Sequence, residues 1–552
     1  MILRHKIIFT LILFAGFIFR FWQLDQYPPS LNWDEISHGY NAYSLLKTGK
    51  DQWDTSWPIF NFRAYGDYPT TVNMYLTIPF ISIFGLNPIT TRLPTAILGY
   101  LLIPISFFLS KMLLKNTKSS LFVALLVAIS PWTLFTSRQV LQSTVSLFFL
   151  LLGISLSLLS LQKNKSPYFL IPGVFFWMFS SFAYHNTKIV APLLLIFFLF
   201  HYRQSLLKIF YRNTKLLYAT LLTILLLLIP LSNNILNSDS RARSNWVFIL
   251  NDAAINVINT QRGEYANPVV GKLLSNKLTY FIPAFLKNYL DFLNPYNLFF
   301  TGSTQHQYNI PNQGLIFPIL MPFFYLGFFY SILRFKKQKL HRFLLIWWLI
   351  GLLPAALTSG DLPVLRAMTI LPLPFIFIAY GFQLFIKKLK LLKFESILFY
   401  LISLLTIFQF FHYWTIFTSS YNHSYSQSWQ YGYSQAIDFV KTQYPNYEQI
   451  IFTKKYGEPH EFVLYYWPWD PAKYQNDPDK IWDYHANWYW VDAFDKFKFF
   501  NDWEIKDKTL YLDKKTLLVT SGANFNTQGA RILHTIHFLD NTIAFQIISY
   551  EP

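Results

Sequence analysis

The stretch MILRHKIIFTLILFAGFIFRFWQL (residues 1–24) decides the class of fold. It begins with basic residues, continues as an apolar run and reaches Arg20, Phe21 and Trp22 without a small-x-small cleavage site. A secretory signal peptide needs such a site, so the stretch predicts an uncleaved first membrane span. Apolar runs of about 16 to 24 residues recur along the chain, and each is long enough to cross a hydrocarbon core.

The composition supports a membrane protein. Of the 552 residues, 53% are hydrophobic and 13% are charged, against about 25% charged in soluble domains. This balance excludes a conventional soluble enzyme. The net charge of +18 comes from Lys and Arg in short loops between apolar runs, which indicates membrane topology and no nucleic-acid partner. Cysteine is absent, which excludes disulfides, a thiolate nucleophile and thiolate metal sites.

The predicted fold is mainly α, a polytopic helical membrane protein with about eleven spans. Basic clusters occupy alternate loops, which places the N-terminus in the cytoplasm and the C-terminus outside. Residues 68–88 are apolar but contain three prolines. Because a full crossing there would move every later basic loop outside, we predict a re-entrant or interfacial helix. The predicted spans lie near residues 7–22, 92–111, 119–136, 140–160, 167–184, 187–202, 215–232, 313–333, 342–358, 367–386 and 394–417.

These spans divide the chain into a membrane catalytic domain, residues 1–417, and a small extracytoplasmic α/β domain, residues 418–552. The first includes long outer loops at 23–91 and 233–312. In the tail, SQAIDFVKTQY predicts an amphipathic helix, EQIIFTK, TLYL and TLLVTS predict strands, and ILHTIHFLDNTIAFQIISY predicts a hairpin on an Asp-Asn turn. The aromatic stretches YNHSYSQSWQYGY and VLYYWPWDPAKYQ fit interfacial anchoring or a carbohydrate groove.

Two adjacent acids follow the first span, in SLNWDEISHGYNAYSLLKTGK (residues 30–50). Asp34 fits the N-cap of a helix from about Glu35 to Lys47 that ends at Gly49. Asp34 also fits a general base that takes the proton of an acceptor hydroxyl as its oxygen attacks the anomeric carbon of an activated sugar. A lipid phosphate leaving group needs no strong acid. The two interpretations are compatible, because an Asp34 carboxylate that caps the helix is also held in a fixed position as a base.

Further polar residues fall in outer loops or at the outer ends of spans. Each cation alone is explained by an interfacial snorkelling charge or a loop cap, but their shared face favours phosphate binding. The acids show no metal-ligand spacing, so we assign no metal and no required cofactor. The absence of nucleotide-binding motifs disfavours a nucleotide-sugar donor. The residues are Asp67, Arg63, Arg138, His185, Lys188, Arg241, Lys277, His306 and Arg366.

Several motifs occur in an order that resembles one family. They are WDEISHGYNAYSLLKTG, YGDYP, FGLNPITTRLP, SPWTLFTSR, YHNTKIVAPLL and LPAALTSGDLPVLRAMTILPLP, and they cover roughly residues 10 to 440. Together they resemble GT-C type glycosyltransferases of the group that includes protein O-mannosyltransferases and bacterial aminoarabinose transferases, the family 39 type.

The resemblance implies a multi-span inverting enzyme with a polyprenyl-phosphate sugar donor, such as an undecaprenyl-phosphate sugar, and an extracytoplasmic protein, lipid or glycan acceptor. By family position, Asp34 is the base, Glu35 and Asp67 order the site, and the cations hold phosphate. The expected location is the plasma (inner) membrane of a bacterium, in contact with membrane lipids.

Other classes remain open at this point. A lipid or sugar flippase would place ionisable groups near the bilayer midplane, where the predicted spans carry almost none. A polysaccharide polymerase or ligase that uses a polyprenyl diphosphate oligosaccharide would share the outer cations. A non-catalytic scaffold ranks last, because it gives no reason for the clustered acids and bases.

Overall fold

The computed structural model describes residues 3–236, 247–506, 514–522 and 530–551. Most of these residues are helical. The α-helices are α1 (Leu3–Phe21), α2 (Trp33–Thr48), α3 (Val72–Phe84), α4 (Pro88–Leu114), α5 (Thr117–Ile129), α6 (Pro131–Ser137), α7 (Gln142–Ser160), α8 (Leu170–Ala183), α9 (Thr187–His201), α10 (Arg203–Arg212), α11 (Thr214–Leu236), α12 (Asp252–Gly263), α13 (Pro268–Leu274), α14 (Lys277–Asp291), α15 (Met321–Arg334), α16 (Lys339–Ala356), α17 (Leu373–Lys388), α18 (Glu395–Ile416), α19 (Asn422–Tyr425), α20 (Tyr433–Gln443), α21 (Pro459–Tyr466), α22 (Pro471–Gln475) and α23 (Asp502–Ile505).

The strands lie in the C-terminal part of the chain. They are β1 (Gln449–Thr453), β2 (Ile481–His485), β3 (Trp488–Phe494), β4 (Phe497–Phe500), β5 (Thr516–Thr520), β6 (Ala530–His537) and β7 (Ile543–Tyr550).

Each predicted span overlaps a helix or a bent helix pair. By length and composition, five helices of the described chain are able to cross a membrane, or up to seven if each bent pair forms one span. The five are Pro88–Leu114, Gln142–Ser160, Thr214–Leu236, Lys339–Ala356 and Glu395–Trp429. The bent pairs are α5 with α6, at 50°, and α9 with α10, at 78°. The chain therefore carries membrane-capable helices, whereas the count of about eleven crossings stays a prediction.

Residues 68–88 contain the short helix α3, with Pro79 inside it. Its 13 residues extend about 20 Å, less than the roughly 30 Å of a hydrocarbon core. A helix at this place was predicted, and its short length fits the re-entrant or interfacial interpretation. Its position relative to a bilayer stays a prediction.

The first compact unit comprises residues 1–22, 96–137 and 141–414. Small residues bring its helices close together. A Cβ added at Gly381 would lie 1.9 Å from the carbonyl oxygen of Phe323, and one added at Gly327 would lie 2.0 Å from that of Phe377. Helices α15 and α17 therefore approach backbone to backbone, as glycine permits in membrane bundles.

A buried arginine stabilises the bend between α5 and α6. The last carbonyls of α5 lose their helical partners where Pro131 begins the next helix. Arg20 is fully buried, and its guanidinium donates to the carbonyl oxygens of Val127 and Ala128, both at 2.8 Å. The charge at the end of the first predicted span thus has a structural role inside the first unit.

The second compact unit comprises residues 23–95, 138–140 and 415–552. It contains a seven-stranded sheet in the order β2-β3-β4-β1-β5-β7-β6. Strand β1 runs parallel to β4 and β5, and the other pairs are antiparallel. The unit's core joins Ile36 and Tyr40 of α2 to Phe462 of α21 and Ile450 of β1. The sequence divides the chain at residue 417, whereas this shared core groups the first outer loop with the C-terminal residues.

The tail elements largely follow the predictions. The amphipathic helix is α20, the strands EQIIFTK and TLLVTS are β1 and β5, and the hairpin is β6–β7 with Asn541 at φ 66° in its turn. The predicted strand TLYL (residues 509–512) lies outside the described residues. The sequence interpretation missed strands β2 to β4, whose first hairpin turns at Ala486 and Asn487, with φ of 53° and 61°. This type I′ geometry normally takes Asn-Gly, so the local signal was weak.

Candidate active site

Helix α2 presents the acid pair. The helix begins at Trp33, and its N-cap is Asn32. The Asn32 side chain accepts from the Glu35 amide at 3.0 Å, and Glu35 Oε2 accepts from the Asn32 amide at 3.2 Å. The prediction of Asp34 as the cap is therefore wrong, because the Asn32 and Glu35 side chains form a reciprocal capping box. The predicted stop at Gly49 is confirmed, with φ 72° at the C-cap.

Glu35 is a buried structural acid. Its side chain is 1% exposed, and it pairs with Arg92, which is 0% exposed. Arg92 Nε and Nη2 donate to the two Glu35 carboxylate oxygens, each at 2.9 Å. The Val140 amide donates to Glu35 Oε1 at 3.0 Å. This bidentate pair fixes the first turn of α2.

Arg92 also holds the segment that leads into α2. Its remaining donors reach the carbonyl oxygens of Leu24 at 2.9 Å, Pro28 at 3.0 Å and Ser30 at 2.5 Å. One guanidinium therefore joins the Glu35 carboxylate to three backbone carbonyl groups between residues 24 and 30. Arg92 lies within the motif FGLNPITTRLP, and the sequence alone does not predict it as a site residue. The sequence signal for a paired residue is a lone arginine at the start of an apolar helix.

Asp34 differs from its neighbour in its surroundings. Its side chain is exposed, whereas Glu35 beside it is buried. The backbone of Asp34 is held in place by His38. The Asp34 carbonyl oxygen lies 2.8 Å from Nδ1 of the buried His38. The Tyr65 hydroxyl donates to the Trp33 carbonyl oxygen at 2.7 Å. The exposed carboxylate thus stands on a rigid helical turn.

The buried His38 imidazole is influenced by groups of α2 and of the first loop. Burial lowers the pKa of its imidazole, and the nearby Asp34 carbonyl, Glu35 and Asp67 oppose this shift. Asp67 is therefore close enough to the first turn of α2 to influence the same imidazole. His38, which the sequence interpretation did not single out, thus senses the Glu35 and Asp67 charges and contacts the Asp34 backbone.

Asp67 and Arg63 occupy a tight turn of the first loop. The Ala64 amide donates to the Asp67 carbonyl oxygen at 3.0 Å, and Asp67 Oδ1 accepts from the Tyr68 amide at 2.8 Å. The Arg63 guanidinium lies over the Tyr489 ring at 4.7 Å and the Trp53 ring at 5.4 Å from their centroids. Cation–π contacts orient this predicted phosphate ligand.

Arg138 is fully buried in the second unit. Its Nε donates to the Tyr27 carbonyl oxygen at 2.8 Å, and Nη2 donates to that of Gln23 at 3.0 Å. These contacts give Arg138 a structural role in holding residues 23–27. Its predicted contact with phosphate stays a prediction.

The other predicted cations lie in the first unit, apart from Arg241, which is outside the described residues. Lys188 and His185 come together, with Lys188 Nζ 3.0 Å from His185 Nδ1 and 2.6 Å from Asn234 Oδ1. Lys277 is exposed at the first residue of α14.

Two further predicted cations are half-buried. His306 lies in the segment before α15, and Arg366 lies in the turn after α16. Burial lowers the pKa of His306, so a neutral imidazole there would offer a hydrogen bond and no charge. The described contacts join only the His185 and Lys188 side chains directly. Their common role with the others stays a prediction.

A second acidic cluster lies inside the C-terminal sheet region, and the sequence interpretation missed it. Glu461 is fully buried and accepts a hydrogen bond from Gln52 Nε2 at 2.5 Å. Burial raises the pKa of Glu461 to about 8 and that of Glu458 to about 7. Burial also lowers the pKa of His460, which lies between them, to about 3. Glu461 and His460 are therefore mainly neutral near pH 7, and the Glu461 carboxyl accepts its hydrogen bond inside the core.

Across the described part of the chain, no three His, Cys, Asp or Glu side chains are grouped to hold a metal ion. The acids around His38 are divided between a structural ion pair and exposed or half-buried carboxylates. This arrangement suits proton transfer at Asp34.

Solved structures share this fold at low sequence identity. ArnT from Cupriavidus metallidurans in the apo state aligns over 98% of both chains, with a TM-score of 0.55 and 9% identity. The same protein bound to undecaprenyl phosphate aligns over 98% of this chain and 99% of its own, with a TM-score of 0.52 and 10% identity.

The archaeal oligosaccharyltransferase AglB from Archaeoglobus fulgidus, in complex with an inhibitory peptide and a dolichol-phosphate, aligns over 84% of this chain. The TM-score is 0.50 and the identity is 15%. The chain spans only 64% of the length of that protein. No family model and no curated protein matches the sequence. The chain therefore shares the fold of these two proteins.

Proposed function

We propose that this chain is an inverting glycosyltransferase. It transfers a sugar from a polyprenyl-phosphate donor, such as an undecaprenyl-phosphate sugar, to an acceptor hydroxyl outside the cytoplasmic membrane. Asp34 is the general base, and the reaction requires no cofactor.

The observation that carries the proposal is the difference in burial and contacts between the two acids of the pair. Glu35 is buried, and Arg92 and two backbone amides occupy its carboxylate. Asp34 is exposed on the same rigid turn. Only Asp34 is thus accessible to a substrate, and the buried Glu35 holds the helical turn that carries Asp34 in place. A fixed, accessible carboxylate is what a general base requires.

The proposed reaction has one chemical step. The Asp34 carboxylate takes the proton of the acceptor hydroxyl while that oxygen bonds to the anomeric carbon of the donor sugar. The bond between this carbon and the phosphate oxygen breaks, and its electron pair leaves with the lipid phosphate. Attack opposite the leaving group inverts the anomeric configuration. The phosphate leaves as a stable anion, so protonation by a strong acid is not required.

The predicted cations are proposed to bind the lipid phosphate. Arg63 is oriented by aromatic rings beside Asp67, and Lys188 forms a cluster with His185 and Asn234. Charge-assisted hydrogen bonds from such groups would stabilise the departing phosphate. We assign the same role to Arg138, Arg241, Lys277 and Arg366. The His306 imidazole, whose pKa burial lowers, would instead donate an uncharged hydrogen bond to the phosphate.

The proteins of similar fold support this substrate class. ArnT was solved bound to undecaprenyl phosphate, and the archaeal enzyme was solved with a dolichol-phosphate and a peptide. A polyprenyl-phosphate donor and an acceptor outside the membrane are consistent with both.

The test is sugar transfer by membranes that contain the chain, supplied with radiolabelled polyprenyl-phosphate sugars. Wild type and the exposed control Asp438→Asn are expected to move label from the lipid into a delipidated fraction. Asp34→Asn is expected to lose this transfer. Undiminished transfer by Asp34→Asn at equal expression would refute the base assignment.

The oligosaccharyltransferase likeness favours a second candidate, transfer of an oligosaccharide instead of a single sugar. Mass spectrometry of the glycosylated product distinguishes the two. An increment of one hexose or pentose supports the first proposal, and a larger increment supports the second.

A further inference from the structure

The hairpin β2–β3 carries a row of aromatic side chains on one face. Tyr484 pairs directly with Tyr489 across the hairpin, and their rings lie 4.5 Å apart. Trp53 of the first loop contacts Trp482 at 5.4 Å and Tyr489 at 5.6 Å between ring centroids. We call these four residues, Trp53, Trp482, Tyr484 and Tyr489, the aromatic platform.

Two rings of the platform, those of Trp482 and Tyr484, are open to solvent, whereas Trp53 and Tyr489 are half-buried beside the Arg63 guanidinium. Strand β2 is the edge of the sheet, and all five of its residues are exposed. Trp482 is 43% exposed and Tyr484 is 52% exposed. Large aromatic groups left outside the core commonly mark a binding surface.

The platform is continuous with the candidate active site. The Tyr489 amide donates to the Tyr65 carbonyl oxygen at 2.7 Å, and the Tyr489 and Tyr68 hydroxyls lie 2.9 Å apart. Tyr68 directly follows Asp67, and the Tyr65 hydroxyl reaches the Trp33 carbonyl oxygen. A ligand on the platform would therefore lie beside the loop that carries Asp67.

The charge of the hairpin restricts what binds there. Residues 477–495 contain five aspartates and one lysine, a net charge of −4, and Arg63 over the Tyr489 and Trp53 rings brings the local sum to −3 in a chain of net charge +18. Such a segment repels anionic lipid headgroups, whereas interfacial anchors pair aromatic residues with Lys or Arg. The exposed edge also carries Asp483 and a register shift between Ile481 and Trp482, features that oppose addition of a peptide strand.

We propose that the aromatic platform binds an uncharged saccharide, the glycan part of the acceptor. Aromatic side chains stack on the apolar C–H faces of sugar rings. Stacking tolerates many sequences of sugars, as it tolerates many sequences of nucleobases in single-stranded nucleic acids. This inference rests on the proposed transferase function and names its acceptor class.

The test is binding of uncharged hexasaccharides to the purified full chain in nanodiscs, without donor. Equilibrium dialysis with tritiated cellohexaose, maltohexaose and α-1,6-mannohexaose measures it. Wild type is expected to bind at least one of them with a Kd near or below the millimolar range. Trp482→Ala is expected to weaken that binding about tenfold or more, and Trp482→Phe is expected to retain most of it.

Trp503→Ala is the matched control, because Trp503 is 72% exposed elsewhere in the same unit. It is expected to bind like wild type. No binding of any hexasaccharide by wild type at about 10 mM would overturn the proposal, as would equal binding by wild type and Trp482→Ala.

A membrane anchor is tested separately. Since the chain has no cysteine, Tyr484→Cys accepts a single nitroxide label. In electron paramagnetic resonance, a water-soluble nickel chelate is expected to enhance the relaxation of this nitroxide. Oxygen dissolved in the lipid is not expected to do so. The reverse result would overturn the proposal.

Asp34→Asn separates this proposal from the transferase proposal. It is expected to bind saccharide like wild type while losing transfer. Normal transfer by Asp34→Asn would refute the base and leave the platform result standing. Normal saccharide binding by Trp482→Ala would refute the platform alone.

Discussion

Replacing Arg92 by methionine is expected to destabilise the second unit strongly. The change leaves the Glu35 carboxylate buried without its guanidinium and removes donors from the carbonyls of Leu24, Pro28 and Ser30. Breaking a buried ion pair on one side costs about 3–5 kcal/mol. The loss of carbonyl partners acts in the same direction. For a unit of about 200 residues, this corresponds to a fall of roughly 6–20 °C in melting temperature.

The assay is intrinsic-fluorescence melting of the full chain in detergent. The double variant Arg92→Met with Glu35→Gln is expected to recover part of the loss, because no charge then remains buried. Lys50→Met is the control, since its ion pair with Asp54 is exposed and exposed pairs contribute about 1 kcal/mol or less. Arg92→Met melting like Lys50→Met would refute the structural role of the pair.

Three further predictions address the core, the packing and the orientation. Burial raises the pKa of Glu461 to about 8. Because the unfolded chain ionises near pH 4.5, stability is expected to fall as pH rises from about 4.5 to 8. Glu461→Gln should flatten that dependence in melting curves, and an unchanged slope would contradict it. A Cβ at Gly457, where φ is +116°, would lie 2.1 Å from the Trp33 ring. Gly457→Ala is expected to cost about 1–3 kcal/mol in melting experiments and to lower transfer, whereas wild-type behaviour would contradict this packing. In the cysteine-free chain, Asp34→Cys is expected to react with an impermeant maleimide on intact cells. Reaction only after lysis would contradict the extracytoplasmic site.

Much of the fold follows from local pattern. Apolar runs such as 142–160 specify helices by length and composition alone, and the Asp-Asn turn at 540–541 specifies a hairpin. Strands β2 to β4 lacked such signals, since their aromatic residues have no clean alternation and their turn contains no glycine. The grouping of α2 with the C-terminal sheet depends on contacts between residues more than 400 positions apart, such as that between Gln52 and Glu461. No local pattern encodes such a contact.

The candidate site shows the same limit. The acid pair is visible in sequence because two carboxylates follow an apolar run. Which acid is buried is decided by Arg92, which lies 57 positions beyond Glu35, so no local pattern reveals it. The cap, in contrast, is encoded locally, because Asn32 and Glu35 have the spacing of a capping box. His38 has neighbours on one helix and one loop turn, and its significance appears only when Asp67 is brought close.

The most direct measurement of the central claim is the rate of the chemical step in a single turnover. Wild-type and Asp34→Asn chains in proteoliposomes would be saturated with a labelled polyprenyl-phosphate sugar, mixed with acceptor and quenched at intervals. Asp34→Asn is expected to slow transfer by about 10²- to 10⁴-fold, while its donor Kd stays within about twofold of wild type. A rate within about threefold of wild type, with the same donor affinity, would contradict it.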